Sequence, residues 1–306
     1  MRIAAVDLVS NTCFPALAAE ALGFYRAEGL DAHIELVPML GATKALRAGA
    51  VDAMIAGSVH DLLTEFPGWQ GAKLVAALSQ GTPWLLVVRE DLVAKRGELG
   101  AVKGLRLTAA DGPDLALRQM LIEAKIDPDK DLEIVELPGA KERHVSFGVF
   151  AAHALEAGQI DGFWANAMGS ATAISRGVGK ILIDVRRGDD PGEVRHFTFA
   201  GLATTEMQIE RHEESVAAAV RAIVKTQKAL RADPSLAAKV GQLMFPSEAA
   251  ALVTKIVESD LPFYDPVIDE KAVAGLNRFA QAIGHLAAPV PYEQVVAIRF
   301  RELWRS

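Results

Sequence analysis

The sequence predicts an α/β fold of two similar lobes, and three observations carry that reading. A nine-residue unit occurs twice, short apolar runs alternate with helical patterns through the first two thirds, and the last third reads as helices. The unit Ala45-Leu46-Arg47-Ala48-Gly49-Ala50-Val51-Asp52-Ala53 returns 109 positions later as Ala154-Leu155-Glu156-Ala157-Gly158-Gln159-Ile160-Asp161-Gly162. In each copy a helix ends at a glycine, whose missing Cβ suits the left-handed conformation of a helix C-cap. An apolar residue and Asp then lead into a strand, Ala53–Ala56 in one copy and Gly162–Ala165 in the other. Small or polar residues follow, Gly57-Ser58 and Asn166. A helix-to-strand unit repeated at this distance implies two lobes of one plan. Their strand C-terminal loops would face a shared crevice, the usual ligand position in open α/β sheets. A chance match between two Ala-rich helices is the competing explanation.

The elements follow in order. Residues 2–9 read as a strand, 15–22 as a helix ending near Gly23, 33–37 as a strand and 42–48 as a helix. After the strand Ala53–Ala56, residues 61–66 give a helical turn or two, and 73–78 and 84–89 are strands. The second series runs strand 105–109, helix 114–124, strand 132–136, helix 145–156, strand Gly162–Ala165 and strand 180–185. Alternation of this kind is the mark of a largely parallel sheet. Residues 196–205 read as a strand returning to the first lobe, and Glu213–Ala232, 235–244, 248–259, 270–283 and 292–304 as helices. Two strands, 84–89 and 196–205, therefore cross between lobes and form a hinge. The expected division is a first lobe of 1–88 and 195–306, the latter part carrying the C-terminal helices, around a second lobe of 89–194.

At 306 residues the chain exceeds the usual span of one hydrophobic core. Its net charge of −7 argues against a nucleic-acid partner, which usually shows as a basic stripe. No apolar run approaches the roughly 18 residues of a membrane span. One cysteine, Cys13, leaves no internal disulfide and no Cys-cluster metal site. There is no His-x-x-x-His, no acidic metal cluster and no phosphate loop of the usual spacing, so neither a metal nor a nucleotide cofactor is expected. The first residues enter a strand pattern without an export-signal pattern, which fits either a cytoplasmic protein or a chain whose signal has been removed.

Several segments carry a family likeness: Gly23-Phe24-Tyr25, Gly29-Leu30-Asp31-Ala32-His33, Gly41-Ala42-Thr43-Lys44-Ala45-Leu46 and Ala48-Gly49-Ala50-Val51-Asp52. The second copy of the unit and a long helix from Glu213 to Ala232-Asp233-Pro234 continue it. In order and spacing these resemble the solute-binding proteins of bacterial ABC importers for sulfonates, nitrate and thiamine-type pyrimidines, over nearly the whole chain. The resemblance implies the two-lobed periplasmic-binding-protein-like fold of type II, with two mixed, mainly parallel sheets. It also implies a monomer in the periplasm that binds a small organic anion (a sulfonate, a carboxylate or a related aromatic acid) by hinged closure. The partner it implies is the membrane permease of an ABC importer, with no catalysis.

Proteins of this plan hold anions at helix N-termini, where unpaired N–H groups carry partial positive charge. The loops that offer such ends contribute Ser10, Asn11, Thr12 and Cys13; Gly41, Ala42 and Thr43; Gly57 and Ser58; and Asp111. The same residue types favour ordinary N-capping. Arg143, with His144 beside it, is the candidate for a charge-assisted contact, because a guanidinium fork suits sulfonate and carboxylate oxygens. Trp84, Trp164 and Phe147 are candidate apolar walls, and Asn166 ends the second repeated strand facing the crevice.

One alternative comes from Cys13. A thiol at a helix N-terminus is expected to have a lowered pKa and raised reactivity. An aromatic sulfinate desulfinase of this fold has a nucleophilic cysteine in a Ser-Asn-containing loop, which Ser10-Asn11-Thr12-Cys13 resembles with a different offset to Gly-Phe. That resemblance implies a cytoplasmic enzyme using Cys13 on an aromatic sulfinate or related acid; His60, at the end of the strand Ala53–Ala56, is the candidate base where the loops converge.

Overall fold

The computed structural model describes residues 1–37, 39–140, 146–190 and 192–305. Its strands in chain order begin with β1 (Arg2–Ala5), β2 (His33–Leu36), β3 (Ala53–Ala56), β4 (Ala72–Ser79) and β5 (Leu85–Arg89). There follow β6 (Arg106–Ala109), β7 (Glu133–Ile134), β8 (Gly162–Ala165), β9 (Gly179–Asp184) and β10 (Ala200–Thr205). They form two 5-stranded sheets, ordered β2-β1-β3-β10-β4 and β7-β6-β8-β5-β9. In the first, β1 lies parallel to both β2 and β3, while β10 runs antiparallel to β3 and β4. The second repeats the plan, with β6 parallel to β7 and β8 and with β5 antiparallel to β8 and β9. The fold is α/β with two mixed sheets, as expected.

The repeated unit occupies the same place in both sheets. Its strands, β3 and β8, are central and buried along their whole length, which is why each reads as an unbroken apolar run. Both copies also close with the same hydrogen bonds. Gly49, at φ 69°, donates to Leu46 O at 3.1 Å, and Ala50 N donates to Ala45 O at 2.9 Å. Gly158, at φ 68°, donates to Leu155 O at 3.0 Å, and Gln159 N donates to Ala154 O at 3.0 Å. The aspartate of each unit then ties the neighbouring strand: Asp52 accepts from Arg2 N at 2.7 Å, and Asp161 from Arg106 N at 3.0 Å. The repeat is a structural clasp at the N-terminal ends of the strands, and it leaves the C-terminal ends free to build a site.

Helices cover the sheets. The first sheet has α1 (Phe14–Ala21), α2 (Phe24–Ala27) and α3 (Met39–Arg47); the second has α4 (Pro113–Glu123), α5 (Phe147–Glu156) and α6 (Ala167–Ser175). Beyond β10 come α7 (Glu206–Arg211), α8 (Glu213–Ala232), α9 (Leu236–Met244), α10 (Ser247–Asp260), α11 (Glu270–Ala282) and α12 (Tyr292–Val295). The buried face of α8 includes Val216, Val220, Ile223 and Leu230, a helical stripe that packs against α1 and α2. Helix α10 packs on α9 and also reaches α6 of the second sheet. No helix among the described residues is long and apolar enough to cross a membrane.

Several expected elements differ. Strand β1 stops at Ala5 rather than at residue 9. Strand β5, expected to end the first lobe, pairs only within the second sheet, and β7 keeps two residues of an expected five. Residues 59–64 form a 3-10 helix in place of a turn starting at 61. Helices α2, α6 and α7 were unexpected; α6, Ala167–Ser175, is rich in small residues, and Gly169 lets it lie against Gly148 of α5. The expected helix 292–304 breaks after α12, because Val296 bridges to Leu74 and Ala297 N donates to Leu74 O at 2.9 Å. A 3-10 helix, Ile298–Arg305, completes that segment.

Candidate functional site

Residues from both sheets line a cavity of about 80 Å³. The first sheet supplies Val6, Asp7, Ser10, Thr12 and Cys13 after β1, and Gly57, Ser58 and Asp61 after β3. The second supplies Ala110 and Pro113 after β6, Trp164, Ala165 and Asn166 at the end of β8, Trp84 before β5, and Phe147 and Gly148 opening α5. Equivalent strands of the two sheets thus feed the same space from their C-terminal ends, as the shared strand order requires. Two contacts bridge the sheets beside it: Ser146 Oγ donates to Asp7 Oδ2 at 3.1 Å, and His60 Nε2 lies 3.3 Å from Gly112 O.

The helix starts around the cavity are capped unequally. Asn166 caps α6, its Oδ1 accepting from Met168 N at 3.1 Å and Gly169 N at 3.3 Å. Ser146 stands at the N-cap of α5 but makes no side-chain cap bond, and its hydroxyl donates to Asp7 instead. Cys13 at the N-cap of α1 makes no side-chain cap bond. The start of α5 also comes very close to α6, since a Cβ on Gly169 would lie 2.6 Å from the Gly148 backbone.

Trp84 and Trp164 form an aromatic wall, with ring centroids 6.1 Å apart. Trp164 is fully buried, and its Nε1–H has no partner among the described residues. Two acids complete the lining. Burial pushes the Asp7 carboxyl above its ordinary value, against hydrogen bonds from Val9 N–H, Ser146 and Asn166 that favour the charged form. Burial likewise raises Asp61, opposed by His60 and by a hydrogen bond from the Ser58 hydroxyl. No lysine or arginine is among the described lining residues.

Ser10, Thr12, Cys13, Gly57, Ser58, Trp84, Trp164 and Asn166 of the expected residues meet at this cavity, together with Phe147. Asn11 does not line it: its side-chain amide donates to Asp260, and its backbone carbonyl accepts from Tyr264 Oη at 2.6 Å. Gly41, Ala42 and Thr43 lie inside α3, with Ala42 and Thr43 buried away from the cavity. Asp111 sits between the lining Ala110 and Pro113 but does not itself line the space. Arg143 and His144 fall outside the described residues. Asp7, Asp61 and Gly148 were not anticipated. Reading the first strand through residue 9 hid Asp7, which follows the true strand end and so stands where strand-end loops face a crevice.

The thiol expectation is corrected. Cys13 is 2% exposed, and its pKa is pushed up to about 11, chiefly by burial and further by Asp7, against hydrogen bonds from Ser10 and Thr12. Burial outweighs the helix start, so the protonated thiol persists at neutral pH. The buried His60 ring meets Trp84 and Phe279 edge-on, with centroids 6.4 and 5.0 Å away, and no described contact joins it to Cys13.

The model of the NMT1-like family matches residues 8–245. The chain belongs to the NMT1-like family. Among curated relatives, YtlA of Bacillus subtilis (strain 168), named as a candidate binding protein, is 24% identical over 297 residues, covering 92% of this chain and 83% of YtlA. Among solved structures, the alkanesulfonate-binding protein SsuA from Xanthomonas axonopodis pv. citri, bound to MOPS, superposes with a TM-score of 0.69 at 15% identity over 95% of each chain. A mutant of the enzyme DszB in complex with biphenyl-2-sulfinic acid superposes with a TM-score of 0.68 at 15% identity, covering 99% of this chain and 98% of DszB. At these identities binder and enzyme alike share the fold with this NMT1-like chain, and the site must speak for its own chemistry.

Proposed function

We propose that this chain is the solute-binding component of an ABC importer, taking one small organic anion into the cleft between its sheets and presenting it to a membrane permease. The carrying observation is the cavity itself: strand-end loops of two sheets converge on it, the start of α5 faces it without a side-chain cap from Ser146, and burial pushes its cysteine thiol up rather than down. Family membership and the named functions of YtlA and SsuA support the same reading. The first lobe in this proposal comprises β1–β4 and β10 with the C-terminal helices, the second β5–β9, and the linkers before β5 and β10 form the hinge. A monomer acting in the periplasm belongs to the proposal, as do Ser10, Thr12, Gly57, Ser58, Trp84, Trp164 and Asn166 as ligand contacts.

Native mass spectrometry tests this with a pool of sulfonates, carboxylates, sulfinates and nitrate. A one-to-one adduct of unchanged ligand mass, kept by the Cys13→Ser protein, supports the binder. Consumption of a pool member that stops in Cys13→Ser would instead make the chain a thiol-dependent enzyme.

A further inference from the structure

A second cavity lies on the flank of the molecule, between α6 and α10, and shares no lining residue with the cleft. It holds about 360 Å³, within the roughly 300–1,000 Å³ of pockets that take organic molecules. Its existence follows from how α10 is held. Near the start of α10, Glu248 accepts from Arg176 Nη1 at 3.3 Å. At its end Asp260 accepts from Arg186 Nη2 at 2.8 Å, and Ser259 O and Oγ accept from Arg187 Nη2 at 2.9 and 2.7 Å. Between these ties α10 presents Leu252 and Ile256, one turn apart on one face, whereas α6 offers Ala167, Ser170 and Ala171. Side chains that short leave the middle of the helix pair unfilled. Leu85 of β5 and Ile181 of β9 add apolar wall, and Ile174 of α6 adds an exposed one.

The charges are sorted by depth. Asp184 and Asp260 line the cavity but are only 3% and 2% exposed, and they already accept from Arg187 and Arg186. The cations stand outward: Arg96 and Arg187 are 47% and 36% exposed, and Lys255 is exposed as well. Arg187 and Arg96 both approach Asp184 Oδ2, at 2.8 and 3.9 Å, and Arg96 Nε donates to Asp189 Oδ2 at 2.6 Å. A guanidinium carries five N–H donors, so each keeps some for a further acceptor, and the Lys255 ammonium adds three. Apolar walls with cations at the open side, on a chain of net charge −7, suit a molecule that is apolar at one end and anionic at the other.

We propose that this flank cavity is a second binding site, for an amphiphilic organic anion. The apolar body lies between Leu252 and Ile256 of α10 and the alanines of α6, and the acidic head meets Lys255, Arg187 and Arg96. Such an occupant ties a helix of the second sheet to one that follows the first. The site does not depend on what the cleft at the strand ends binds. Binding is non-covalent, and no bond is made or broken.

Calorimetry on the intact chain, with 1-octanesulfonate as the probe, decides the matter. Ethanesulfonate serves as the anion without the body and octylamine as the body with the opposite charge. Two variants locate the probe: Lys255→Glu reverses a charge on the exposed side of α10, and Ala171→Phe fills the space from α6. The expected result is that 1-octanesulfonate binds about tenfold or more tightly than octylamine, the scale of a hydrogen bond to a charged group. It should also bind more tightly than ethanesulfonate, and its affinity should fall about tenfold in each variant of unchanged circular dichroism. An affinity kept within about twofold by either variant would place the probe elsewhere and overturn the proposal, with the cleft reading untouched. Octylamine binding as tightly as 1-octanesulfonate would overturn the acidic head. No binding of 1-octanesulfonate to the parent protein would overturn the site itself.

Discussion

Arg186 Nη2 donates to Asp260 Oδ1 at 2.8 Å, and each side chain is only 2% exposed. The pair ties the turn after β9 in the second sheet to the last residue of α10, which belongs to the helices following the first. Asn11 donates to the other Asp260 oxygen, and the Arg186 guanidinium stacks 4.3 Å above the Phe263 ring. Since Asn11 stands between the cavity residues Ser10 and Thr12, one buried network touches both sheets and the ligand space.

Removing one member should expose its worth. Asp260→Ala strands a buried guanidinium, and the expected loss is about 3–5 kcal/mol of unfolding free energy, read by denaturant titration. Replacing both partners with apolar residues should recover much of it, because the desolvation cost disappears with the charges. A loss below about 1 kcal/mol for Asp260→Ala would mean that water reaches the site.

The crossing of α5 and α6 is tight enough to test with one methyl group. Gly169→Ala would drive a Cβ into the Gly148 backbone, and since neither helix can yield locally the expected cost is about 1–3 kcal/mol. Gly148 also lines the cavity, so ligand affinity should fall with stability. Unchanged affinity would separate the helix crossing from the site.

Acid should stabilise the empty cleft through Asp7 and Asp61. Both carboxyls have raised pKa values in the folded chain, so folding favours their protonated forms. Their contribution is fully present below the unfolded value of about 3.9 and is lost as pH rises through the folded values. Comparing the chain with its Asp7→Asn, Asp61→Asn double variant by thermal melts, the variant should lead at pH 7.5 and lose its lead as the pH falls. A lead that is constant with pH would refute the assignment.

Cys13 should resist alkylation. With its pKa near 11, the thiolate fraction at pH 8 is about a hundredfold below that of an ordinary thiol, and burial slows access further. Mass spectrometry of iodoacetamide-treated protein should find Cys13 unmodified after a free-cysteine control is consumed. Rapid labelling at pH 8 would restore the case for thiol chemistry.

The sequence disclosed most where one physical device has one residue pattern. Gly49 and Gly158 marked true left-handed C-caps, and the apolar runs after them located β3 and β8 to the residue. It disclosed less where tertiary packing decides. Helix α6 mixes Gly, Ser and Thr with Ala and Met, and the Gly148–Gly169 contact that sets it against α5 joins positions 21 apart, which no local pattern announces. Of the candidate site, loop residues after β1 and β3 were legible because strand ends face the crevice. Asn11 was misjudged because its amide finds Asp260, 249 positions away, and nothing nearby in the sequence announces that partner.

The placement of β10 has a consequence for how the chain is made. Every strand of the second sheet comes from one continuous stretch, Leu85 to Asp184, whereas the first sheet waits for Ala200–Thr205 to fill the gap between β3 and β4. On a ribosome adding roughly 5–20 residues per second, the second sheet can be complete while the first still exposes two unpaired apolar edges. Those edges are the surfaces on which nascent chains stick to one another. The order of synthesis thus makes the first sheet, although its strands emerge first, the last to close and the part most in need of a chaperone.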